Sequence, residues 1–176
     1  MTKKELIDLL KTDVKSFNRY RVASDFESID LSEADLRGAN LRGTNLCDAN
    51  LSGVFLIGAN LSHSYLSGAN LRGADLRGAD LSGAGLSDTD MSGANLSGSD
   101  LNDANLSDAN LRDANFCDAN LSGADLVDTD MSGANLSGSD LSGADLGGSN
   151  LGRANLHLAE LEDVNLYRAN LFATRF

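Results

Sequence analysis

The side chains in this chain that could do chemistry are two histidines, two cysteines and 26 acidic residues. His63 and His157 stand far apart in sequence. Ser62 and Ser64 flank His63, but no third group is in view to complete a nucleophile–base–orienter set. Cys47 and Cys117 have no histidine at a metal-ligand spacing, and no phosphate-binding loop appears. Asp88-Thr89-Asp90-Met91-Ser92-Gly93, copied from Asp128 onward, imitates the opening of a calcium loop. Its twelfth position, which needs a bidentate Glu, is Ser99 or Ser139. The chain therefore reads as non-enzymatic, with no catalytic residue, no cofactor and no metal site. Its carboxylates can still act together as charge.

What positions them is a five-residue phrase, Ala-(Asn/Asp)-Leu-Ser-Gly in its commonest form, as at Ala94-Asn95-Leu96-Ser97-Gly98. A large apolar residue falls at every fifth position from Phe26 to Phe176, giving 31 centres: 26 Leu, three Phe and two Met. An α-helix turns about 100° per residue, so this period would spread the leucines around the whole cylinder. A continuous strand would alternate them between its faces. A short extended piece followed by a turn solves both problems. The small residue two before each centre shares its inward face. Two after the centre stand 15 of the 18 glycines and eight Asp, types that tolerate tight-turn geometry. Residues 88–101 recur identically at 128–141, a step of 40, which fits two coils of 20 and no whole number of 15-residue coils.

With these repeats the chain resembles the pentapeptide-repeat family over residues 24–176. The resemblance implies an all-β fold, a right-handed quadrilateral parallel β-helix with four units per coil. Seven full coils would run from 24–43 to 144–163, with a partial one from Val164. At about 4.8 Å per coil the rod should be roughly 35–40 Å long, held by nearest-neighbour stacking. Cys47 and Cys117 would then lie on opposite sides, out of disulfide reach. They read as free thiols in a reducing cytoplasm.

Residues 1–23 carry no repeat and a net charge of +3. Thr2 and Glu5 have the capping-box spacing, and Asp13 could cap a second short helix. Leu6, Ile7, Leu9 and Leu10, with Phe17, Tyr20 and Val22, supply an apolar stripe. This segment is expected to be a helical lid on the first coil, whose edge and core need cover. The alternative is a basic arm for a partner. No such lid is evident after the last coil, where Leu158, Tyr167, Phe172 and Phe176 add apolar surface. That end either folds over itself or forms a homodimer. Neither a signal peptide nor a membrane span is expected.

Charge carries the remaining signal. Residues 24–176 hold 23 acidic and eight basic residues, and residues 78–152 hold 13 Asp against Arg112 alone. A 20-residue coil would gather Asp30, Asp48, Asp88, Asp90, Asp108, Asp128 and Asp130 at one corner. Such a rod disfavours direct binding of nucleic acid or anionic membrane. It could instead offer a duplex-like line of charge to a DNA-binding protein, or merely keep the rod soluble. Phe55 and Ile57, with Tyr65, break the phrase and read as an exposed apolar contact framed by charge. The function expected is a scaffold or protein-binding module. A sharper alternative is a DNA mimic directed at a type II topoisomerase, as in the quinolone-resistance branch of the family that the chain distantly resembles. A third is a purely structural acidic solenoid with weak adventitious cation binding.

Overall fold

The computed structural model describes residues 1–24 and 28–176. Phe26, expected as the first centre, lies outside the described residues. From Asp30 onward the chain winds so that each unit bridges the unit twenty residues later. The bridges run from Asp30↔Asn50 to Asn155↔Arg175, and all are parallel. Each coil thus takes 20 residues, four turns and four bridging residues. The expected short strands reduce to one bridging residue per unit, because the turn consumes the residues on either side.

One unit, Ala59 to His63, shows why these residue types are needed. Leu61 N–H donates to the Asp80 carbonyl at 2.6 Å and His63 N–H to that of Ser82 at 2.9 Å, both in the next coil. Asn60 N–H reaches back to the Ala39 carbonyl at 2.9 Å. Ala59 N–H closes a tight turn on Leu56 at 2.9 Å, as Ser64 does on Leu61. The remaining donor, Ser62 N–H, is taken by the side-chain oxygen of Asn60 at 3.0 Å. All five N–H groups of the unit are therefore bonded. The second residue of every described turn, from Glu33 to Ala173, has positive φ, which explains the glycine and aspartate there.

The centres from Leu31 to Leu156 are essentially inaccessible and pack with the small residues two positions before them. Where that small residue is Ser or Thr, its hydroxyl usually bonds the preceding centre's carbonyl, as Ser64 Oγ does with Leu61 O at 2.6 Å. The buried polar group is satisfied locally. Thr44 Oγ1 is an exception and has no partner.

Two helices close the N-terminal end: α1 (Lys3–Thr12) and α2 (Val14–Ala23). Thr2 and Glu5 form the capping box, and Asp13 accepts from Ser16 N–H at 3.0 Å. Leu6, Leu10 and Phe17 join the core, whereas Val22 faces solvent. Continuing the ladder, Asn45 N–H would bond a carbonyl 21 residues back, as Asn50 bonds Ile29. Asn18 takes that place: its Oδ1 accepts from Asn45 at 2.8 Å and its Nδ2 donates to Gly43 O at 2.9 Å. The buried Arg21 donates from Nη2 to Cys47 O at 2.6 Å. At the other end burial fades: Leu161 and Leu166 are only partly covered, and Leu171 and Phe176 are exposed.

Gly98 isolates the backbone requirement, since a Cβ added there meets no atom within 4 Å while φ is +65°. Gly98→Val should lower unfolding free energy by ~1–2 kcal/mol in a denaturant titration, and Gly98→Asp by clearly less. Equal losses would show that φ is not the cause. Asn18→Ala should cost ~1–3 kcal/mol, because it strands the Asn45 donor. Amide exchange should rise in the first coil and stay unchanged beyond Leu101; uniform acceleration would contradict a local capping role.

Candidate protein-interaction surface

With the core and ladder accounted for, chemistry is left to the side chains that point outward. The seven residues of the expected acidic corner fall in two neighbouring columns. Asp48, Asp88, Asp108 and Asp128 occupy exposed second turn positions with φ of 55–59°. The last three stand in successive coils. Asp30, Asp90 and Asp130 belong to a bridging column that they share with Asn50, Asn70, Asn110, Asn150 and Asn170. There each Asp accepts from the Asn of the next coil, as Asn110 Nδ2 does to Asp90 Oδ1 and Asn150 Nδ2 to Asp130 Oδ1, both at 3.1 Å. Arg112 also pairs with Asp130 at 3.1 Å. Three of the seven are therefore tied into ladder hydrogen bonds, and the line of exposed charge is shorter than the sequence suggested.

Phe55 bridges Asp35 below and Asp75 above, and it is 46% exposed. Ile57, half-buried, holds the same position relative to Arg37 and Arg77. Each arginine grips its own coil's aspartate with two hydrogen bonds, Arg37 to Asp35 at 2.8 and 2.7 Å and Arg77 to Asp75 at 2.8 and 2.8 Å. The apolar pair is thus flanked by two fixed, internally neutralised forks. Tyr65 does not belong to this surface. It bridges Asn45 and Gly85 and stands ten residues, half a coil, from Phe55. The expected three-residue contact is corrected to Phe55 and Ile57, because a half-coil offset puts Tyr65 on another side.

At the open end Leu158, Tyr167, Phe172 and Phe176 are each well exposed. They are spread around nearly a whole coil and so form a broken ring about the exposed core rather than one patch. Tyr167 is stacked under Arg168, whose guanidinium carbon is 5.1 Å from the ring centroid. Among the described residues no group of His, Cys, Asp or Glu is arranged to hold a metal. No helix there is long and apolar enough to cross a membrane.

The profile for pentapeptide repeats, in eight copies, matches residues 24–62, 59–98, 99–138 and 139–176. The chain belongs to the pentapeptide-repeat family. It is similar to HetL of Nostoc sp. strain PCC 7120, a pentapeptide repeat protein involved in heterocyst differentiation regulation. The identity is 33% over 84% of this chain and 85% of that one, with a TM-score of 0.34. It is also similar to trypsin-treated QnrB1, a plasmid-mediated fluoroquinolone resistance protein. That identity is 26% over 85% and 81% of the two chains, with a TM-score of 0.55. No curated protein sequence matches it.

Within this pentapeptide-repeat protein, Asn18 and Arg21 were not singled out from the sequence. The available signal was a polar and a cationic residue interrupting the inward stripe of α2. In the Phe55 face, the Arg37 fork holds the Asp35 carboxyl well below the usual carboxylate range, and Arg77 lowers Asp75 likewise. A lowered folded-state value stabilises the fold above the ordinary carboxylate pKa, and that contribution is lost as pH falls through the lowered value. Carboxyl NMR titration should show Asp75 protonating below the ordinary aspartate range. Arg77→Gln should return it to the ordinary range; an unchanged midpoint would mean the fork does not persist in solution.

Proposed function

We propose that this pentapeptide-repeat protein is a non-enzymatic, rod-shaped scaffold that binds a protein partner through the face centred on Phe55 and Ile57. One observation carries this reading. The residue before each centre is elsewhere mostly Asn or Asp, whose oxygen caps the turn that follows, as Asn60 caps Ser62. Phe55 has no oxygen to give Ile57 N–H. The unit forgoes a hydrogen bond that its neighbours make and exposes an aromatic ring instead. Local rules broken without a structural return are the mark of a working surface, and a large aromatic ringed by ordered polar groups is a typical binding anchor.

A second reading rests on Asp88, Asp108 and Asp128. Stacked one coil apart at about 4.8 Å, they offer a type II topoisomerase a short line of negative charge, spaced wider than the phosphates of one DNA strand at about 3.4 Å. The 26% identity to QnrB1 supports this choice of enzyme class. In either case we read residues 1–23 as a cap and 24–176 as one right-handed, square-sectioned repeat domain in the cytoplasm. The open C-terminal ring then serves either as bare edge or as a homodimer contact.

A gyrase supercoiling assay, run with the protein in molar excess and with or without a quinolone, separates the two. Under the second reading, inhibition or protection appears and is lost on replacing Asp88, Asp108 and Asp128 by Asn. Under the first, gyrase is unaffected. A captured partner is then released by Phe55→Lys but retained by the triple Asn variant. Retention by Phe55→Lys would end the proposal for this face.

A further inference from the structure

A cleft of about 430 Å³ opens on the rod at a place that neither reading uses. Arg72, Ser92 and Arg112 succeed one another in one column and all three line the cleft, the arginines from the coils on either side of Ser92. The Arg112 guanidinium rests on Asp130 in the coil beyond. Two coil steps separate the arginine backbones by about 10 Å. The next column supplies Gly73 and Gly93, and a Cβ at either would meet nothing within 4 Å. The floor there is empty. Asp113 borders the cleft, but its carboxylate leans over Gly133 in the following coil, away from Gly93.

The donors in this cleft are underused. Arg37 and Arg77 are locked on aspartates, and Arg42 donates to Ser62 Oγ at 3.1 Å. Among the described residues the Arg72 guanidinium makes no hydrogen bond or ion pair. Arg112 uses Nη1 on Asp130 at 3.1 Å, which leaves most of its five N–H donors free. Between them the Ser92 hydroxyl is shielded from water and bonds nothing. Ser132, two coils on, has the same unpaired hydroxyl, whereas Ser82 bonds the aspartate two residues earlier at 2.6 Å.

We infer that this cleft binds the phosphate group of a small phosphate monoester, such as a sugar or nucleoside phosphate, between Arg72 and Arg112. A single guanidinium fork satisfies a planar carboxylate, whereas two forks from opposite sides suit a tetrahedral dianion with three terminal oxygens. The volume exceeds what inorganic phosphate needs and is of the size that holds a small organic ligand. Asp113 in the lining and Asp130, paired with Arg112, disfavour a long polyanion, so a nucleic-acid strand is a poor fit.

The test is an amide NMR titration of the full chain with adenosine monophosphate and, separately, inorganic phosphate, at fixed ionic strength. Saturable shifts should centre on Gly73, Ser92 and Gly93, with the monoester binding more tightly. Arg72→Gln and Arg112→Gln should each weaken binding by about tenfold. Arg77→Gln, which removes the same charge on a different column, should leave it unchanged. Both cleft arginines are exposed, and an unaltered melting curve confirms that the variants fold. Shifts that do not saturate, or an equal loss in Arg77→Gln, would overturn the site. Inorganic phosphate binding as tightly as the nucleotide would overturn the assignment to a monoester.

Discussion

The structure depends on finding an acceptor for each of the five backbone N–H groups in a repeat. Two go forward to the next coil, one goes back to the previous coil, one closes the turn, and in most units the last is taken by an Asn or Asp side chain. A residue without a backbone donor fits nowhere in that scheme, and the chain contains no proline. The same scheme explains the letters of the phrase. Leu and Ala fill the inside, Asn or Asp caps the corner, and Gly or Asp adopts positive φ. Side-chain amides add a second ladder outside the first, as in the run Asn95, Asn115, Asn135 and Asn155, linked at 3.0–3.1 Å.

Because the fold claims so much of each unit, little of the surface is free to carry function. An aspartate in a bridging column is first a turn cap and a rung, and only afterwards a charge. That is why Asp30, Asp90 and Asp130 differ in kind from Asp88, Asp108 and Asp128. It is also why Phe55, whose side chain can neither cap the turn nor bond its neighbour in the column, is more informative than any of the acidic residues.

Much of this was legible in the letters alone. The 40-residue copy supports the 20-residue coil that the family resemblance implies, and the bridges have that register. Thr2, Glu5 and Asp13 announced the ends of two helices. The purpose of the residue before each centre was harder to see, because an Asn that caps its own turn looks like any exposed Asn. The grouping of Phe55 with Tyr65 failed for a geometric reason. Ten residues are close along the chain but half a circuit around it. Arg21 and Asn18 showed only as polar breaks in the stripe of α2, because their partners, Cys47 O and Asn45 N–H, are backbone atoms that leave no pattern of their own.

The cap has one more consequence, for threading. Residues 88–101 and 128–141 are interchangeable as letters, so a growing chain could lay either stretch against the same neighbour and bury equivalent side chains. Nothing periodic can distinguish the correct winding from one misaligned by two circuits. Asn18 and Arg21 lie outside the repeat, and they bond the rim at Gly43–Cys47. The helices at the start of the chain thereby act as an index mark, from which every later circuit is counted.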